Sequence, residues 1–518
     1  MQVRMASLIV RVPRAPNPDA SSADQRWHTL ATKNWLPLFA SSLLTLQSAI
    51  ADARSAQHLV VRTLAGPVAG AAVPETAGSG AIVTFKGIPY AAPPVGALRW
   101  RPPEPPVPWQ NARDARQFGD DCMQTPYVIS TGQKASENCL TVSVWTPADY
   151  PRAHRPVMVF FYGGAFIGGS AAYPLYDGTK LAQHGVVVVG FNYRIGIFGF
   201  LAHPQLSAES PRHISGNYGL LDQIAALKWV QANIAGFGGD PGRVTVFGES
   251  AGAVCIASLM TSPLARGLFQ QAIVQSPSLP ILADLGSAQA SGAALAPDIA
   301  TLRSAAAAKL LELNDRFFPV STHRAVNRTS FPAPIVDGYV VPDQLRSVFN
   351  NGNLNAVPLI VGVNADEGRM FSDAGASPES SAAVGDVIFV EPARWILRGA
   401  ARHQPKTFSY VFTHATDGEP LPPTHSEELP YVFGTLDAPS FIKHPPADGN
   451  DRRMSQLMMR MWTQFARTGD PNGHELPQWP RYAGTTEPYL EIGSEIRIGN
   501  AFRKPALDEL ERRSADVP

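Results

Sequence analysis

Val244-Thr245-Val246-Phe247 runs into Gly248-Glu249-Ser250-Ala251-Gly252, and Ala253-Val254-Cys255-Ile256-Ala257 follows at once. A β-branched and aromatic run, a break of small residues and a second apolar run predict a strand, a sharp turn and a buried helix. The spacing is G-x-S-x-G, which in this setting puts the serine at the apex of a strained strand-to-helix turn. Backbone so tight tolerates little side-chain bulk beside the apex, and Gly248, Ala251 and Gly252 supply none. The first N–H groups of the helix point at the apex, where an anion is stabilised.

A serine hydroxyl becomes a nucleophile only when a base takes its proton and a carboxylate orients that base. In hydrolases with such a turn the chain order is serine, acid, histidine. Downstream of Ser250 stand His323, His403, His414, His425, His444 and His474. Asn364-Ala365-Asp366-Glu367-Gly368 follows the strand predicted at 359–363, so Asp366 and Glu367 are the candidate acids. The residues themselves choose neither between the two carboxylates nor among the histidines. Tyr162-Gly163-Gly164-Ala165-Phe166, after the strand predicted at 157–161, offers backbone N–H groups that a carbonyl oxygen can approach.

Strands are also predicted at 186–189 and 407–412, all apolar enough to be buried on both faces. Helices are predicted from Asp222 to Ile234, with Asp222 near the start, from Ala305 to Leu313, and from Met454 to Phe465. Alternation of this kind predicts an α/β fold, a mostly parallel twisted sheet flanked by helices. The segments 281–330 and 368–385 read as the least ordered. From about residue 59 onward there is no linker and no repeat, so 52–518 is expected to form a single domain. Lys+Arg and Asp+Glu are both 43, which gives none of the basic footprint of a nucleic-acid binder.

Residues 1–51 read as an N-terminal extension ending in a signal peptide. Lys33 precedes an apolar run from Trp35 to Leu46, too short to span a bilayer, and Ala49-Ile50-Ala51 supplies the small-x-small cleavage pattern near Ala51. The expected location is secreted or periplasmic. Cys122 and Cys139 flank a polar segment; they are a disulfide in an oxidising compartment, worth about 3 kcal/mol, or free thiols in a reducing one. Cys255 reads as a small buried hydrophobe. Asn327-Arg328-Thr329 matches a glycosylation sequon.

Phe85-Lys86-Gly87-Ile88-Pro89-Tyr90-Ala91, Leu98-Arg99-Trp100, Glu137-Asn138-Cys139-Leu140, Asn192-Tyr193-Arg194, the stretch Phe237 to Gly252 and Gly469-Asp470-Pro471-Asn472 occur in order along the chain. With these landmarks it resembles the type-B carboxylesterases, a family that includes bacterial para-nitrobenzyl esterases and cholinesterases. The resemblance runs from about Val68 to Tyr482. It implies an α/β-hydrolase fold and a serine esterase acting through an acyl-enzyme. It implies a triad of Ser250, Glu367 and His425, with Glu367 rather than Asp366 as the acid and Gly164, Ala165 and Ala251 as oxyanion donors. It also implies Glu249 as a carboxylate near the histidine, and a Cys122–Cys139 bridge. It implies a small-molecule ester as the partner and no metal or organic cofactor, and no stretch after the signal is long and apolar enough to cross a membrane.

The chain departs from the family pattern in places. Ala165 and Ser426 stand where glycines are common, and Pro277 follows Ser276 where glycine is usual. Glu367 and His425 are closer in sequence than expected, so the helical cap is read as reduced and the pocket as open. The loop between the two cysteines has Tyr127 and no tryptophan, which argues against choline esters. Alternatives are the same chemistry on an amide, a carbamate or a bulky toxin or polyester-type ester, or a non-catalytic binding module on this fold.

Overall fold

The computed structural model describes residues 59–515 apart from 75–79, 127–128, 151–152, 279–280, 296–297, 318–332, 417, 419–420 and 443–444. The signal-peptide region, Tyr127, the sequon at Asn327, His323 and His444 lie outside the described residues. Among the described residues, eleven strands form the main sheet. In chain order they are β1 (Ala71–Ala72), β2 (Ile82–Pro89), β3 (Thr141–Pro147), β4 (Arg155–Phe161), β5 (Val187–Phe191), β6 (Gly239–Glu249), β7 (Gln271–Gln275), β8 (Leu359–Asn364), β9 (Thr407–Phe412), β10 (Pro488–Ile492) and β11 (Ile496–Asn500). Across the sheet the order is β11-β10-β9-β8-β7-β6-β4-β5-β3-β2-β1. From β10 to β5 every pairing is parallel, and the outer strands are antiparallel.

Parallel strands need crossovers that cover both faces, so the central strands must be apolar throughout. They are: β7, β8 and β9 are buried at every position, and in β6 burial is continuous from Val244 to Glu249. Full burial of one side chain such as Phe247 contributes about 1.5–3 kcal/mol. The strands expected at 157–161, 186–189, 244–247, 359–363 and 407–412 are all present. β7 was not expected; Ala272-Ile273-Val274 is a short apolar run with glutamines on both sides.

Helix α1 (Tyr218–Asn233) starts earlier than the expected Asp222. Asp222 is not a helix-start acid. It is fully buried in the second turn, where both oxygens receive the Arg194 guanidinium at 2.7 and 2.8 Å. Helix α2 (Ala251–Thr261) is buried at every residue. The helix expected from Ala305 to Leu313 is present as Ala307–Phe317, and a second helix, Ile299–Ser304, precedes it across extended backbone at Ala305. Asp298 caps Ile299–Ser304 by accepting from the N–H groups of Ala300 and Thr301. Ile299, Leu302 and Leu310 bury against Trp100 and Phe198 in a second core cluster, so this stretch is more regular than expected. The 368–385 stretch likewise holds a short 3₁₀ turn, Glu367–Phe371, and a helix, Pro378–Gly385.

Two further helices frame the site. α3 (Leu429–Phe433) follows His425, and α4 (Gly449–Thr468) begins at a capping box made by Asp448 and Asp451, before the expected Met454. Cys122 and Cys139 form a buried disulfide. No helix among the described residues is long and apolar enough to cross a membrane.

Candidate active site

Ser250 stands between β6 and α2 with φ 56° and ψ −124°, a backbone region that costs a non-glycine residue about 1–3 kcal/mol. Its surroundings hold it there. The Ser250 N–H donates to Gln275 O on β7 at 3.0 Å, and its carbonyl accepts from Val254 N at 3.1 Å. A Cβ at Gly252 would fall 2.0 Å from Phe161 O, so only glycine lets α2 start against the end of β4. The predicted elbow is therefore built by close approach of bare backbone.

Glu367 opens the 3₁₀ turn that follows β8. Its Oε1 accepts from Asn364 N at 2.7 Å and from Ser276 Oγ at 2.5 Å, and its Oε2 accepts from His425 Nδ1 at 2.7 Å. All four residues are buried. Asp366 faces elsewhere, toward Arg369 Nε at 3.2 Å. His414 is buried as well, but its Nε2 donates to Asp451 Oδ1 at 2.8 Å. His403 and His474 are exposed. Of the histidines and carboxylates left open by sequence, the structure brings together His425 and Glu367.

The second ring nitrogen does not meet the serine. His425 Nε2 lies 3.0 Å from Glu249 Oε1, and no hydrogen bond among the described residues joins it to Ser250 Oγ. With a carboxylate oxygen against each ring nitrogen, the arrangement favours the doubly protonated ring. Burial opposes that charge, but Glu249 and then Glu367 outweigh it and hold the imidazole up at about 10. The ring is further enclosed by Phe389, with centroids 4.2 Å apart, and Phe371 at 5.2 Å. Phe389 comes from the π-helical segment Asp386–Val390 between Glu367 and His425.

A third buried carboxylate sits behind the pair. Glu428 accepts from Gln275 Nε2 at 2.8 Å and Asn364 Nδ2 at 2.7 Å. Burial, then Glu249 and Glu367, push it up to about 8. Ser276, Asn364, Gln275 and Glu428 escaped the sequence reading. Ser276 and Gln275 belong to the unexpected strand β7 and its exit. Glu428 lies three residues past His425, a spacing that carries a signal only once the helix start at Leu429 is known.

The loop after β4 passes over the elbow. A Cβ on Gly163 would fall 2.9 Å from Ser250 Cβ and 2.8 Å from Glu249 Oε2. Gly164, Ala165 and Phe166 take φ of 111°, 54° and 62° in succession. Gly164 O accepts from Ile167 and Gly168, which closes the loop. Ala251 is the first residue of α2, so its N–H has no intrahelical acceptor. The loop is anchored from the disulfide side. Gln124 Nε2 donates to Gly169 O and Gly169 N to Gln124 Oε1, both at 2.9 Å. Ser170 Oγ donates to Asp121 Oδ1 at 2.5 Å.

Cys255 stays inert. It is fully buried, its thiol is pushed up to about 12 by burial, and Gln223 Nε2 donates to its sulfur. No group of three or more His, Cys, Asp or Glu side chains among the described residues is arranged to hold a metal ion. The arrangement offers proton transfer and backbone donors around a serine.

Residues 57–382 and 372–509 match the carboxylesterase family. The chain is 40% identical over 485 residues to the fumonisin B1 esterase of Sphingopyxis macrogoltabida, covering 86% of this chain and 88% of that one. It is 35% identical over 490 residues to the para-nitrobenzyl esterase of Bacillus subtilis (strain 168), covering 86% and 96%. A solved PNB esterase structure superposes with a TM-score of 0.76 at 34% identity, over 87% of this chain and all of that one.

Proposed function

The chain belongs to the carboxylesterase family and is a carboxylic ester hydrolase, and from that premise we propose that it works through an acyl-enzyme on Ser250. His425 Nε2 takes the proton from Ser250 Oγ as the oxygen attacks the ester carbonyl. The N–H groups of Gly164, Ala165 and Ala251 receive the oxyanion. His425 then returns the proton to the departing alcohol. Water enters through the same base, attacks the acyl carbon and releases the acid. Glu367 holds Nδ1–H in place and stabilises the charged ring. The observation that carries this reading is the buried 2.7 Å contact of His425 Nδ1 with Glu367 Oε2, beside the strained turn of Ser250.

Catalysis then requires Nε2 to leave Glu249 for Ser250 Oγ. Glu249 Oε2 and Ser250 Cβ share one corner of the site, lying 2.8 and 2.9 Å from where a Cβ on Gly163 would stand. The test is labelling with a fluorophosphonate followed by peptide mass spectrometry. An adduct on Ser250 is expected. A protein that turns over esters without such an adduct would place the nucleophile elsewhere, and one that takes no adduct and turns over no ester would favour the binding-module alternative.

Two observations favour a bulky ester as the natural substrate. One relative is named for fumonisin B1. The short segment between Glu367 and His425 suits an open pocket. A panel of esters graded by acyl and alcohol size separates this from a preference for short chains. Export to an oxidising compartment is proposed on the disulfide and the apolar run before Ala51.

A further inference from the structure

Glu249 Oε1 has two donors at once. His425 Nε2 lies 3.0 Å away and the Ser426 hydroxyl 2.6 Å away. All three residues are buried, with Glu249 at 2% exposure. When His425 turns Nε2 to Ser250, Glu249 loses one of these two donors. A buried carboxylate left without a donor carries its whole desolvation penalty, whereas one that keeps a donor carries much less. The residue that decides between these outcomes is Ser426.

Its backbone underlines the point. Ser426 has φ 71°, in the left-handed region where glycine is at ease and serine is strained. Glycine would serve the turn better, and the hydroxyl is what the serine adds. We propose that Ser426 is a positioning residue whose hydroxyl keeps Glu249 hydrogen-bonded while His425 is released to act on Ser250. This rests on the reading of Ser250 as nucleophile and His425 as base. The charged and titratable groups facing the ring and its partners are Glu249 from the elbow, Glu367 after β8, Glu428 before α3 and Tyr410 of β9. None of the other three donates to Glu249.

Without the hydroxyl, the state with a neutral, released His425 is penalised more than the state with a charged, Glu249-bound ring. The acid limb of the kcat/KM–pH profile should therefore move to higher pH, by about one unit, and activity on that limb should fall about tenfold. The test is that profile for Ser426→Gly and Ser426→Ala with a p-nitrophenyl ester, alongside thermal melting. Both variants are expected to shift the limb alike, although the glycine variant melts at or above the wild-type temperature and the alanine variant does not. An unmoved limb in either variant, or an equal loss at every pH, overturns the proposal. Fluorophosphonate labelling of the wild type keeps the two levels apart. A labelled Ser250 with an unmoved limb sinks only the role of Ser426, whereas an unlabelled Ser250 sinks the mechanism beneath it and this proposal with it.

Discussion

The Ser276 hydroxyl donates to Glu367 Oε1 across 2.5 Å, and both side chains are excluded from solvent. Asn364 N–H donates to the same oxygen, so Glu367 has its far oxygen tied twice and its near oxygen left for His425. Glu367→Gln keeps the shape but can hold the wrong tautomer of His425, and its kcat should fall by about 10³–10⁴. Ser276→Ala removes one of two anchors and should lower kcat about tenfold, with KM little changed. Steady-state kinetics on one p-nitrophenyl ester test both. Equal losses in the two variants would mean that the hydroxyl does more than orient the carboxylate.

His414 and His425 are both buried and both bonded to a carboxylate, yet only one stands beside the elbow. His425→Ala should remove measurable turnover. His414→Ala should keep most of it and lose stability instead, because Asp451, which also receives Tyr431 Oη at 2.8 Å, then loses one of its donors. The expected loss is about 1–3 kcal/mol by urea denaturation. The reverse pattern of activities would assign the base to the wrong histidine.

Stability should fall toward alkaline pH. His425 is held up at about 10 against an ordinary 6.5, so its contribution is complete below 6.5 and is lost as pH rises through about 10. Glu428 is raised from 4.5 to about 8, so its contribution is complete below 4.5 and is lost through about 8. Both act in the same direction between pH 6.5 and 8. Melting temperatures across that window should decline, and the decline should shrink in Glu428→Gln. A wild-type melting temperature that rises across it would contradict the charge arrangement around the ring.

The fold was legible in sequence where one period dominated. The parallel strands at 157–161 and 359–363 are unbroken apolar runs, that at 407–412 is β-branched and aromatic around Ser409, and the elbow was readable because sterics leave so few residue types for it. Asp222 misled because an acidic residue near a helix start has two uses, and only three-dimensional contact with Arg194 reveals the buried pair. Within the site, Glu367 and His425 were left open by the residues alone, because proximity across the sheet is not written in one strand. The resemblance to a family named them, and the coordinates bring them to 2.7 Å. The resemblance also put Glu249 near the histidine; that its Oε1 stands against Nε2, where Ser250 is expected, was beyond reach, since it depends on a side-chain rotation.

The disulfide should matter to chemistry as well as to stability. Cys122 is two residues from Gln124, whose amide holds both polar groups of the Gly169 backbone at the end of the loop over Ser250 and also donates to Cys122 O at 3.1 Å. Asp121, on the other side of Cys122, receives Ser170 from the same loop. Cutting the bridge frees this anchor. Cys122→Ala/Cys139→Ala should lose about 2–5 kcal/mol of stability. Gln124→Glu isolates the second effect. A carboxylate can still accept from Gly169 N–H but cannot donate to Gly169 O or Cys122 O, so those two bonds become repulsions between oxygens while the bridge itself stays intact. If the loop presents N–H groups to the oxyanion, the loss is felt in the transition state. kcat and kcat/KM should then fall together, by roughly tenfold, with KM unchanged. A variant that raises KM at constant kcat would show instead that this loop shapes substrate binding and leaves the oxyanion alone.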